Sequence, residues 1–152
     1  MDAVDRTILK ILAEDSSATA ARISAQVNLS VPAVNKRILK LKESGVIRSF
    51  TLLTDQKLVG KPIVAYILLA LQYGSAVTNL MEYIGEDADI LECYAVTGDY
   101  DYIMKVCARD MESLEDKLLH LKRQKGVIKS HTMLSLMEHK FSPCMLPDST
   151  EG

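Results

Sequence analysis

The stretch from Thr97 to Tyr102 reads TGDYDY and sets two carboxylates and two phenols around a glycine, between runs of strand-forming residues. Three chemistries fit these types. They are an acid pair for proton transfer or metal binding, a polar loop that senses a small ligand, and a plain tight turn. Acid–base work requires the two carboxylates to meet one reacting group, and nothing in their spacing obliges Asp99 and Asp101 to converge. Metal binding has equally little support. Cys93, Cys107 and Cys144 are widely spaced, with no CxxC pair and no nearby histidine to complete a shell. The first two thiols are expected to be buried and reduced, and no cofactor is implied. His120, His131 and His139 fall on a helix and a strand without the acidic or arginine cluster that a tetrapyrrole would need.

The elements that must position this loop are bounded by the totals. A chain of 152 residues with 48% hydrophobic content can bury a core, as one domain or two small ones. No apolar run approaches the roughly 20 residues of a membrane helix, and the start MDAVDRTILK is acidic and amphipathic where a secretion signal would be basic then apolar. A cytoplasmic protein without a membrane partner is expected. The net charge of −2 conceals an asymmetry: residues 1–60 carry nine Lys/Arg against six Asp/Glu, net +3, and residues 61–152 carry nine against fourteen, net −5. A basic head and an acidic body point to different partners, with nucleic acid a candidate for the first.

In the head, Val4, Ile8, Ile11 and Leu12 recur at helical spacing behind Asp2 as N-cap, with an end near Asp15 to Ser17. A short second helix covers about Ala20 to Val27. In VNLSVPAV, Asn28 tolerates the left-handed conformation of a sharp turn, Leu29 plugs the corner, and Ser30 caps a third helix whose first turn accepts Pro32. That helix, Val31 to Ser44, buries Val34, Ile38 and Leu41 and ends on Gly45. At about 100° per residue, Pro32, Ala33, Lys36 and Lys40 lie opposite the apolar stripe, with Asn35 and Arg37 on its flanks. Small residues at the tip followed by cations are what a recognition helix needs to approach base edges and engage phosphates. VIRSFTLL then reads as a strand, and TDQKLVGKP as a boundary loop.

The body begins with the apolar strand IVAYILLALQ. A helix starting at Ser75 or Thr78 carries Val77, Leu80, Met81 and Ile84. ILECYAVTG and DYIMKVCARD form two strands that turn over at Gly98 to Tyr100. A helix capped by Asp110 presents Leu114, Leu118, Leu119 and Leu121 inward and ends at Gly126, and VIKSHTMLSLMEHKF makes the last strand. The order βαββαβ is a split βαβ arrangement whose uncovered sheet face another subunit is expected to cover. The tail SPCMLPDSTEG has no period and is expected to lack order.

The segments VDRTILKIL, VNLSVPAVNKRILKLKESGVI, VTGDYDYIMKV, RDMESLEDKL and GVIKSHTML together resemble the Lrp/AsnC, or leucine-responsive regulator, family from about Asp2 to His139. Two independent motifs in the family's order make the match specific. The resemblance implies an α+β chain: a winged-type helix-turn-helix domain over residues 1–48, a linker strand and loop over 49–61, a ferredoxin-like βαββαβ sensor and oligomerisation domain over 62–141, and a tail over 142–152. Arg48 to Leu53 would pair with the same strand of a partner. Ser30, Pro32, Ala33, Asn35, Lys36, Arg37 and Lys40 would face double-stranded DNA at a pseudo-palindromic operator. Thr97, Gly98, Asp99, Tyr100 and Asp101 would hold the amino and carboxylate groups of an amino-acid effector, with Ala95, Thr132 and Leu134 lining the pocket. Homodimers would assemble to tetramers or octamers. Asn28, Ser24, Leu39 and Lys42 depart from the common pattern, which leaves the fold intact and moves charge along the recognition helix.

On this reading the chain is a transcription regulator and not an enzyme. Two rivals share its architecture. An effector-independent architectural DNA protein would keep the head and make TGDYDY purely structural, and a sirohaem-decarboxylase-like enzyme would use the aspartates.

Overall fold

The computed structural model describes residues 1–72 and 76–147. They form two compact units, one from Met1–Leu52 together with residues 140–147, the other from the described residues of Leu53–His139.

The first unit is built on three helices: α1 (Ala3–Glu14), α2 (Ala20–Val27) and α3 (Val31–Glu43). Asp2 caps α1 and forms a reciprocal capping box with Asp5, while Thr19 and Ser30 cap α2 and α3 through their hydroxyls. The corner between α2 and α3 turns on Asn28, the one non-glycine residue with positive φ among those described (52°). Its short polar side chain makes that conformation accessible. Pro32 sits in the first turn of α3, and Gly45 (φ 75°) follows the last turn, its N–H donating to the Lys42 carbonyl. Ile8, Ile11, Leu12, Ile23, Val34 and Leu41 make the core, with Ile38 and Leu29 packed against it. These are the apolar positions that the helical spacing selects.

Residues 46–53 are not a strand in this chain. The residue types favour one, but a ladder needs a neighbouring strand to accept its hydrogen bonds, and none of the described residues provides it.

The second unit contains β1 (Ile63–Leu71), α4 (Ala76–Glu86), β2 (Ile90–Ala95), β3 (Tyr102–Ala108), α5 (Met111–Arg123) and β4 (Val127–Leu134). The four strands form one antiparallel sheet in the order β2-β3-β1-β4, as a ferredoxin-like split βαβ fold requires. Ile67, Leu69, Leu71, Met104 and Val106 alternate along their strands onto one face, where Leu80 of α4 and Leu121 of α5 join them in a single core. Both helices therefore cover the same face. The opposite face carries Tyr66, Tyr94 and Met133, all exposed.

Four expectations change in detail. Helix α4 starts at Ala76, so Thr78 lies inside it and Ser75 lies outside the described residues. Leu119 is exposed, because it falls about 100° around the helix from Leu118, off the stripe of Leu114, Leu118 and Leu121. Helix α5 ends at Arg123, with Gln124 extended, before Gly126. Strand β4 ends at Leu134 rather than running to Phe141, since β1, its only neighbour among the described residues, starts at Ile63; the last bond joins the Ser135 N–H to the Val64 carbonyl at 2.9 Å.

Candidate DNA-binding face and effector loop

Ser30, Pro32, Asn35, Lys36 and Lys40 are exposed on α3, and Ala33 and Arg37 are half-buried. A shallow groove between the start of α1 and the outer side of α3 is lined by Asp2, Asp5, Ala33, Lys36, Arg37 and Lys40. Lys36 and Lys40 make no ion pair among the described residues, which leaves their ammonium groups available to phosphates. Arg37 differs. Its guanidinium donates to Asp2 and Asp5 at 2.7 Å each. The Asp5 backbone N–H and then Arg37 hold the Asp2 carboxyl below its ordinary range, and the two aspartates raise the guanidinium's pKa in turn. At the far end of α3, Lys42 lies over the Phe50 ring, 4.9 Å from its centroid.

The TGDYDY loop joins β2 to β3. Gly98 has φ 115°, a conformation that side-chain-bearing residues rarely adopt, and a Cβ placed there would meet nothing within 4 Å. Thr97, Gly98 and Asp99 are exposed. The two aspartates have separate positions. Asp101 is built into the sheet: its N–H donates to the Leu69 carbonyl at 2.9 Å, its carbonyl accepts from Val96, and its Oδ2 accepts the Leu71 N–H at 2.7 Å. That last bond falls where the β1–β4 register shifts. Asp99 is left as the carboxylate at the loop's exposed tip.

Tyr100 folds toward β4, with the Lys129 ammonium 4.5 Å from its ring centroid and the His131 ring 6.2 Å away. Lys129 and His131 pair with Ala70 and Leu68 and so lie on the sheet face away from the helices. Thr132 and Leu134, paired with Ile67 and Ala65, have the opposite parity. Ala95 sits on β2, three strand spacings or about 14 Å from β4. Within one chain the structure therefore gathers Gly98, Asp99 and Tyr100 at one tip, keeps Ala95 at the end of β2 that leads into the loop, where it pairs with Tyr102, and gives Thr132 and Leu134 the opposite parity from the β4 residues beside Tyr100.

At the end of α4, Asp87 and Asp89 bind Lys117 of α5, Asp89 also binds Lys61, and the Tyr83 hydroxyl donates to Asp87. Burial and the neighbouring Asp87 push the Tyr83 phenol up to about 12. Burial alone would raise Asp87, but Lys117 leaves it below its ordinary value. Burial raises both Cys107 and Cys93, so neither thiol is activated. No cluster of three or more His, Cys, Asp or Glu suited to a metal occurs among the described residues, and no described helix is long and apolar enough to cross a membrane.

Comparison with known proteins joins the two halves. Residues 1–48 match the winged helix-turn-helix DNA-binding family, and residues 64–144 match the Lrp/AsnC ligand binding domain. The HTH-type transcriptional regulator FL11 of Pyrococcus abyssi is 36% identical over 143 residues, 92% of each chain. The chain belongs to the Lrp/AsnC family. This Lrp/AsnC protein is also 33% identical to the transcriptional regulator AzlB of Bacillus subtilis, over 78% of its own length and 77% of the relative's. A Neisseria meningitidis transcriptional regulator solved as an L-Met complex has the same fold, with a TM-score of 0.91 at 24% identity over 95% of this chain and 96% of that one. The Lrp/AsnC chain is thus a DNA-binding helix-turn-helix transcriptional regulator with a ligand-binding domain.

Sequence reasoning overlooked Asp2 and Asp5 as partners of Arg37, although their i, i+3 spacing at a helix start was visible. It also overlooked Lys129 and His131, whose alternation on β4 puts them on one face.

Proposed function

We propose that this Lrp/AsnC regulator binds a pseudo-palindromic operator through paired heads and that a small effector, an amino acid, changes its DNA affinity or its assembly. Ser30, Pro32, Ala33, Asn35, Lys36 and Lys40 present the recognition face, and residues 48–53 pair with their counterparts in a second copy to make the homodimer. Dimers associate further, to tetramers or octamers, in the cytoplasm. The chain performs no catalysis.

The observation that carries the effector reading is the division of labour in TGDYDY. Asp101 is occupied by the sheet, while Gly98 and Asp99 are exposed at a tip whose backbone only glycine adopts readily. A purely structural turn would need the Asp101 bonds and a glycine at positive φ, but not the exposed Asp99 carboxylate, which makes no hydrogen bond or ion pair among the described residues. Asp99 accepts from the effector's amino group, and Gly98 lets a ligand approach the backbone. The Neisseria relative's L-Met complex supports the ligand class. Since Thr132 and Leu134 have the opposite parity on β4 from the residues beside Tyr100 in one chain, a neighbouring subunit supplies them to the same ligand, while Ala95 borders the loop of its own chain. A ligand at such a contact regulates only through different affinities for different assemblies.

A thermal-shift screen against the common amino acids tests this directly. One effector at a hundredfold excess over its dissociation constant should stabilise the protein by about 2.7 kcal/mol. Gly98→Trp should abolish that shift and the accompanying change in gel-shift titrations while leaving the head folded. A Gly98→Trp protein that still responds fully, or a screen in which no amino acid acts, defeats the proposal.

A further inference from the structure

Three charged groups at the base of the recognition helix form a closed set. A single nitrogen of Arg37, Nη1, donates to Asp2 Oδ2 and Asp5 Oδ1. The other oxygen of each aspartate is committed to the cap of α1: Asp2 Oδ1 accepts the Asp5 N–H at 2.8 Å, and Asp5 Oδ2 accepts the Asp2 N–H at 3.2 Å. All four carboxylate oxygens are therefore in use, and the start of α1 is tied to the flank of α3. Two carboxylates against one guanidinium leave the set with a net negative charge, which repels phosphate. Lys36, the neighbouring residue in sequence and about 100° around the helix, carries its cation outward with no such partner.

The rest of the α1–α3 contact is apolar. Ile8 and Ile11 meet Val34, Ile38 and Leu41 in one core. Burial of this kind is strong but has no direction, so it resists separation of the helices better than rolling of one about its own axis. A charged hydrogen-bonded clamp has direction.

We infer that Arg37 is a positioning residue, not a phosphate contact, and that with Asp2 and Asp5 it fixes the roll of α3 and thereby the discrimination of operator from other DNA. The inference rests on α3 being the DNA-facing helix. Long lysine side chains reach phosphates over a range of roll angles, whereas base-edge contacts from the small residues at the tip do not. Loss of the clamp therefore acts on the specific complex and spares the non-specific one.

The test uses the full chain, with the duplex that the wild type selects best from a random-sequence library and a scrambled duplex of the same composition. Affinity is measured by fluorescence anisotropy across a salt series. Lys36→Gln should weaken both duplexes and flatten each salt slope by about 0.9 per head. Its failure to affect either duplex would sink the reading of α3 itself. Arg37→Gln should weaken the selected duplex at least tenfold and the scrambled one far less, without flattening the scrambled-duplex salt slope as Lys36→Gln does. Arg37→Lys, which keeps the charge and can bind one aspartate, should restore part of the selectivity. Combined D2N and D5N should lose selectivity and steepen the scrambled-duplex slope, as the released guanidinium reaches a phosphate; adding R37Q should remove that extra slope. Circular dichroism confirms that each head stays helical, and Arg37→Lys decides the matter if Arg37→Gln does not fold. A scrambled-duplex slope flattened by Arg37→Gln as much as by Lys36→Gln overturns the inference, as does unchanged selectivity in both Arg37 variants.

Discussion

Replacing Asp101 with alanine should cost far more than replacing Asp99, two residues away, and for a reason unrelated to any ligand. The Asp101 Oδ2 accepts the Leu71 N–H at 2.7 Å at the point where the β1–β4 register shifts. Leu71 is 7% exposed, so water does not readily replace the lost acceptor. Orphaning a buried backbone donor costs about 1–3 kcal/mol, and the loss of a charged, short bond puts Asp101→Ala toward the upper end, about 2–3 kcal/mol. Asp101→Asn keeps an acceptor oxygen but not its charge, so about 1 kcal/mol is expected. Asp99→Ala, at an exposed tip, should fall within about 0.5 kcal/mol of wild type. Urea unfolding followed by circular dichroism measures the totals, and amide hydrogen exchange at Leu71 provides the local readout. That amide should be protected in the wild type and in Asp101→Asn and exchange quickly in Asp101→Ala. Equal costs for Asp99→Ala and Asp101→Ala, or a Leu71 amide still protected in Asp101→Ala, would refute the assignment of separate roles.

Further expectations rest on other parts of the molecule. Leu69 is fully buried in the sensor core, so Leu69→Ala should lose about 2–5 kcal/mol by urea unfolding. Ser30→Ala removes the α3 cap and should cost the head about 1 kcal/mol in the same assay. The Asp110 carboxyl, which caps α5, is held far below the usual range by the Ser113 hydroxyl and N–H and by Arg109. A depressed folded-state value means that its stabilisation is complete above the unfolded value, about 3.9, and is lost as pH falls through the folded one. Asp110→Asn, which can still cap but carries no charge, should therefore be less stable than wild type at neutral pH and show a shallower loss of stability below about pH 4, so that the two converge in acid; an unchanged acid profile contradicts this. In an alkaline ultraviolet titration one phenol should ionise late, near 12, and Tyr83→Phe should remove that step.

The core positions were legible in the sequence because helical and strand periods select them directly. Ile8, Val34 and Leu41 in the head, and Ile67, Leu69 and Met104 in the sheet, are buried where the spacing puts them. Caps at Asp2, Ser30 and Asp110 were legible too, since each uses a side chain three residues from its backbone partner. The extent of strands was not. Residue type promised strands at 46–53 and beyond Leu134, but a ladder exists only where a second strand runs alongside, and that is a property of pairing. The same limit applied to charged groups. Helical geometry put Arg37 on the flank of α3, yet its partners are 32 and 35 positions away and only the packing of α1 on α3 brings them together. Sheet parity then divided the residues implied for the effector, and only their register could do so.

The hydrogen bond between Ser135 and Val64 places the outgoing chain beside the incoming one at the same end of the sheet. The sheet unit between Val64 and Ser135 is thus entered and left at neighbouring positions. A cassette whose two ends meet can be exchanged at neighbouring junctions without stretching either flank. Another ligand-binding unit joined at residues 64 and 135 would therefore need to bridge only the spacing of two paired strands, so that one DNA-binding head could be made to answer to a different ligand.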